Sequence, residues 1–164
     1  MSRKKTLNLH RDQSDWRGRA LCPLADEPFS FDECLVRTID GFMYTLMLPA
    51  NDNRRIITLM EDAAKAKRTV RHLTIKNDVR WRGETIKVNS REYEVLIERM
   101  LRARFRKDRR AIAALAASRD LKLVHKRPHP KAQLGVIPAK KYCAILSRLR
   151  KELLSTGEIS KVAA

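Results

Sequence analysis

The sequence predicts an α-rich α+β fold, a single domain with a few short strands. Three observations predict it. Apolar residues recur mostly at helical spacing, alternation of apolar and polar residues is confined to short runs, and 164 residues suit one domain able to bury about two thirds of its unfolded surface.

The elements follow in chain order. Phe29 and Phe31 alternate with Ser30 and Asp32, and Leu35 follows, which reads as a short strand pair. Phe42, Met43, Leu46 and Met47 then fall at helical spacing, with Asp40 in the first turn. Pro49 and Asn51-Asp52-Asn53 make a turn, and either Asp52 or Asn53 can cap the next helix. That helix carries Ile56, Ile57, Leu59, Met60, Ala63 and Ala64 before turning basic at Lys65, Lys67 and Arg68. Val70, Leu73 and Ile75 suggest a short extended piece. Trp81, Ile86 and Val88 flank Gly83 as a tight hairpin would.

Asn89, with Glu92 three residues later, has the form of a capping box. It opens a helix whose apolar stripe is Tyr93, Leu96, Ile97, Met100, Leu101 and Phe105. Residues 109–118 form an Ala-rich helix, and Leu121, Leu123 and Val124 read as a strand. A loop with Pro128, Pro130 and Gly135 leads to Pro138 and a last helix with the stripe Tyr142, Ile145, Leu146, Leu149 and Leu153. Residues 1–18 carry Arg3, Lys4, Lys5, Arg11 and Arg17 without periodicity and are expected to be a flexible basic arm. The domain proper is expected over 19–156, with a frayed tail over 157–164.

The charge is one-sided. The chain holds 36 Lys plus Arg against 19 Asp plus Glu, a net charge of +17 and a pI near 10.4. That excess goes well beyond what solubility needs and implies a polyanionic partner, nucleic acid first. One cluster is Arg102, Arg104, Arg106, Lys107, Arg109 and Arg110. A second contains Lys122, His125, Lys126, Arg127, His129 and Lys131. Part of the first also complements a helix C-terminus. Aromatics make up only 5% of the chain, so contact with phosphates is expected rather than base stacking.

Other classes are poorly served by these residues. Cys22, Cys34 and Cys143 are odd in number and far apart, without zinc-ligand spacing. His125 and His129 are four apart, but Pro128 and Pro130 disfavour a helical metal pair. No metal and no cofactor are expected. Reduced thiols, the absence of any apolar run near the roughly 20 residues of a membrane span, and an N-terminus without a signal-peptide core suggest a cytoplasmic protein that does not enter the membrane. Gly-rich phosphate loops, Gly-x-Ser-x-Gly elbows and His-Glu-x-x-His motifs are missing.

Asp40 can be read in two ways. A first-turn acid favours the helix dipole and the free N–H groups, and it can equally line a pocket. Asp32, Glu33 and Asp40 are the carboxylates from which a glycosidic pair could come, and spacing alone leaves their convergence open.

The ordered series from residue 20 to 153 resembles the NADAR superfamily of N-glycosidases. One branch shows P-F-x-F-D-G followed by S-x-E-G-F-x-Q-x-L-K-F, against Pro28, Phe29, Phe31 and Asp32, then Thr38, Asp40, Gly41, Phe42 and Leu46 here. A Lys-rich helix, a W-x-G-x-x-I turn, an E-Y helix and a final Arg/Leu-rich helix match Ala64 to Arg71, Trp81 to Ile86, Glu92 to Phe105, and Tyr142 to Leu153.

The resemblance implies cleavage of an N-glycosidic bond to a ribose, in ADP-ribosyl or riboflavin-pathway substrates, including substrates linked to nucleic acid. It places the key acid at Asp40 and a pocket aromatic at Trp81, with Asp32 and Tyr44 as substrate-binding residues. The chain departs from the pattern at Glu33 in place of Gly, Tyr44 in place of Gln, Met47 in place of Lys, and Cys22-Pro23-Leu24 in place of S-N-F. Two functions are therefore expected: a divergent N-glycosidase, or a catalytically inactive descendant of the fold that binds DNA, RNA or a nucleoprotein assembly through its basic surface.

Overall fold

The computed structural model describes residues 5–74, 77–126 and 138–157. Over these the chain runs β1 (Thr6–Asn8), α1 (Trp16–Ala20), β2 (Phe29–Phe31), β3 (Cys34–Val36), α2 (Ile39–Thr45), α3 (Arg54–Met60), α4 (Ala63–Val70), β4 (Asp78–Trp81), β5 (Glu84–Lys87), α5 (Arg91–Lys107), α6 (Arg109–Ala117), β6 (Lys122–Val124) and α7 (Ala139–Thr156). This is the helix-rich α+β class expected. The chain falls into two compact units, Met1–Ala25 with Phe105–Ala164, and Asp26–Arg104.

In the first unit, β1 pairs in parallel with β6, with Leu7 opposite Leu123. Leu7 and Leu9 are buried, so this segment departs from the free basic arm expected over residues 1–18. The reason is non-local: a three-residue strand has no periodicity worth reading until its partner, far along the chain, is beside it. Asp15 caps α1 by accepting a hydrogen bond from the Arg17 N–H, and the Arg17 guanidinium holds its carboxyl below the usual range. Gly18 lies against β1, and a Cβ placed there would come within 2.2 Å of the Asn8 carbonyl oxygen. Asp108 caps α6 through the Ala111 N–H. On α7 the predicted stripe is buried at Tyr142, Ile145, Leu146 and Leu149 and half-buried at Leu153, and the Tyr142 hydroxyl donates to the Leu21 carbonyl at 2.8 Å.

In the second unit, β2–β3 and β4–β5 are antiparallel hairpins with two-residue turns. Thr38 caps α2 by accepting from the Gly41 N–H at 2.9 Å, and every residue of α2 is buried. The single helix expected from Ile56 to Arg68 is two. Glu61 is extended, and Asp62 caps α4 by accepting from the Lys65 N–H. An acid with a free N–H three residues ahead starts a helix more readily than it continues one.

The expected extended piece begins instead with Val70 as the last residue of α4, and Ile75 lies outside the described residues. The start of α5 is also displaced by one residue: the Ser90 hydroxyl accepts from the Tyr93 N–H at 3.1 Å, while Asn89 takes a left-handed φ of 66°. The stripe Tyr93, Leu96, Ile97, Met100, Leu101 and Phe105 is buried throughout. The Pro128–Gly135 loop and the tail after Gly157 lie outside the described residues.

Gly18 and Gly83 separate two kinds of strain. Gly83 has φ +82° with open space around its Cβ direction, so Gly83→Ala is expected to cost about 1 kcal/mol through the backbone alone. Gly18→Ala forces backbone apart and is expected to cost about 2 kcal/mol or more. Thermal denaturation should rank the two in that order, and equal melting would contradict the packing of α1 on β1.

Candidate functional site

Both hairpins of the second unit turn through left-handed residues. Asp32 and Glu33 have φ of 44° and 65°, and Arg82 and Gly83 have 50° and 82°. Two consecutive positive φ values are the geometry that suits a two-residue hairpin, because its twist matches that of the strands. The turns bring Asp32, Glu33 and Arg82 to the rim of a cleft of about 600 Å³, whose remaining wall comes from Trp81, β5 and the first turns of α5. That volume suits a small-molecule ligand. Glu84, Arg91, Glu92 and Arg99 add charge of both signs to it.

Asp32 is the best-anchored group of the cleft. One carboxylate oxygen accepts from the Trp81 indole N–H at 2.8 Å, the other from the Arg99 guanidinium at 2.8 Å. Glu33 pairs with Arg82 across the two hairpin tips at 2.9 Å. Behind them Trp81 stacks on Phe31 at 5.8 Å and meets Phe42 edge-on at 4.9 Å. The Arg99 guanidinium lies 5.4 Å from the Phe31 ring centre, within cation–π range. Trp81 and Asp32, both named from the sequence, are thus brought together.

Asp40 and Tyr44 are elsewhere. Asp40 is 4% exposed in the first turn of α2 and does not line this cleft. Trp81 touches Phe42, two positions on from Asp40, and positions two apart on a helix face away from each other. Tyr44, one turn beyond Asp40, packs with Leu48, Ala66 and Val70, against which Met47 also rests. The two departures at Tyr44 and Met47 therefore fill apolar core.

The basic candidates divide as well. Arg104 is fully buried and offers no surface for a phosphate, which corrects its place in the expected binding cluster. It lies four residues after Met100 and three after Leu101, so it continues the apolar stripe of α5; that periodicity was the available signal. Arg102 is half-buried and paired with Glu98 at 2.8 Å. Arg106, Lys107, Arg109, Arg110 and Lys126 are exposed, and Arg127 lies outside the described residues. Arg82, Arg91 and Arg99 were not legible as site residues, since nothing local marks them. Among the described residues no three His, Cys, Asp or Glu side chains gather as a metal site, and no helix is long and apolar enough to cross a membrane.

This arrangement of helices and short hairpins is an α+β fold that also occurs in a solved structure. One solved structure with this fold is that of the E. coli protein YbiA. It superposes with a TM-score of 0.64 over 95% of this chain and 89% of that chain, at 16% identity. At that identity the likeness establishes the fold. No protein-family model matches the sequence, and the curated proteins contain no match to it.

Glu33 stands where the family pattern has glycine, at a φ of 65° that glycine adopts freely. Its ion pair with Arg82 is exposed and contributes little. Glu33→Gly is therefore expected to stabilise by about 1 kcal/mol, a rise in melting temperature of about 2–4 °C. A lower melting temperature would mean that the tip-to-tip pair outweighs the backbone strain.

Proposed function

We propose that the chain is a divergent N-glycosidase of NADAR type that cleaves the bond between a ribose and its base in the cleft of the second unit. The observation that supports this most is the Asp32 carboxylate, held by Trp81 and Arg99 at the edge of a ligand-sized cleft. As the C1′–N bond breaks, its electron pair leaves with the base and positive charge builds on the ribose. A carboxylate fixed beforehand near that charge lowers the barrier without reorganising, and water then adds at C1′ while the base takes up a proton. Arg82 and Arg91 at the rim suit a phosphate on the ribose. Asp40 fits this role less well, being buried off the cleft.

The test is release of free base from a panel of N-ribosides, ADP-ribosylated bases included, followed by liquid chromatography and mass spectrometry. Asp32→Asn is expected to lose about 10²–10³ in rate, with Asp40→Asn close to wild type. Loss confined to Asp40→Asn would move the site to α2. Wild-type turnover by both variants, or no release from any riboside, would overturn the reading.

A second reading, binding of DNA or RNA, is favoured by one observation. Arg106, Lys107, Arg109 and Arg110 are exposed in one stretch of chain, and the acid among them, Asp108, has its carboxylate engaged as the cap of α6. Reversing charge at Arg106, Arg109 and Arg110 should weaken oligonucleotide binding and flatten its salt dependence by about one unit of log slope for each phosphate that is no longer neutralised. An unchanged slope in a fluorescence titration would exclude this face.

A further inference from the structure

The first unit contains a recess that neither reading uses. β6 and its flanking residues face α7 across an open groove of about 1040 Å³. Its floor is apolar: Leu123 is buried, and so is Cys143, where burial pushes the thiol pKa up to about 11. Its rim is cationic. Lys122 and Lys126 come from the β6 side, and Lys140 and Arg150 from α7.

Arg150 is the fixed member of the set. Its Nη1 donates to the Ser118 carbonyl at 2.6 Å and the Leu121 carbonyl at 3.0 Å, which sets the guanidinium against the turn before β6. Among the described lining residues the one carboxylate is Asp120, which is exposed and lies 3.6 Å from Arg119.

Cations drawn from two elements far apart in sequence repel one another around a shared recess. A plain solvated surface gains nothing from such convergence, whereas a bound anion offsets the repulsion. We propose that this groove is a binding site for a phosphate-bearing ligand, held by Lys122, Lys126, Lys140 and Arg150 over the Leu123–Cys143 floor. The described lining residues include no Phe, Tyr or Trp on which bases would stack. The recognised chemistry is the phosphate itself, either as a monoester on a small ligand or as the diester backbone of a nucleic acid.

The test uses isothermal titration of the full chain at low salt with pyrophosphate and, separately, with a short single-stranded oligonucleotide. Lys122→Glu combined with Lys140→Glu changes two exposed residues and should leave the melting curve in place. Lys67→Glu with Lys87→Glu, two exposed residues of the second unit, serves as a charge-matched control. Affinity for at least one probe is expected to fall tenfold or more in the groove variant and by less than threefold in the control. A loss for pyrophosphate identifies a small phosphorylated ligand; a loss for the oligonucleotide alone identifies a backbone. Equal losses in both variants, wild-type affinity in the groove variant, or no binding of either probe by the wild type would overturn the site.

Discussion

The Asp32 carboxylate is the interaction on which the cleft depends. It sits on the β2–β3 turn, accepts from Trp81 on β4 and from Arg99 on α5, and so ties three elements at one point. The charge-assisted bond from the indole N–H contributes about 1.5–3 kcal/mol and the solvent-screened Arg99 pair about 1 kcal/mol or less, and losing the acceptor would leave the indole N–H of a largely buried Trp81 unsatisfied. The ring is then free to relax against Phe31 and Phe42, which connect the cleft wall to α2. The residue that holds the wall is also the acid best placed to act on a ligand. Under the proposed reaction, loss of turnover and local loosening would be coupled at Asp32 for that reason.

A net charge of +17 overstates the positive surface. Arg55 donates to the carbonyls of Thr45, Leu48 and Arg80, closing the end of α2 and tying it to β4. Arg17 donates to the Ala117 carbonyl at the end of α6, and Arg150 closes the turn before β6. Arg104 lies wholly inside. The guanidiniums of Arg55, Arg17 and Arg150 satisfy carbonyls that helices and turns leave open, work for which a planar, multiply donating cation is well suited. Exposed cations remain near the start of α6 and around the β6–α7 groove, and others stand at Lys67, Arg68 and Arg71 at the end of α4.

Much of the secondary structure was legible because it is written in periodicity. The α5 and α7 stripes, the two hairpins, α6 and β6 all follow from apolar spacing and turn residues. Where the fold departs from that spacing, the causes are physical. Asp62 outcompetes continuation of a helix by capping the next one. Ser90 replaces Asn89 as the cap of α5 because Asn89 sits in a left-handed turn. β1 is too short to be recognised without β6.

By itself the sequence determined the fold class and the resemblance to the NADAR pattern, and it named Trp81 and Asp32 as candidates, since each depends on local spacing or on an ordered series of residues. Only the tertiary structure decided which acid faces the cleft. Asp32 and Asp40 are alike as sequence, but a hairpin turn carries one to the rim, while helical rotation takes the other away from Trp81. It also decided that Tyr44 and Arg104 are interior and that Arg99 lines the cleft, because burial and convergence depend on elements that meet only when the chain is folded.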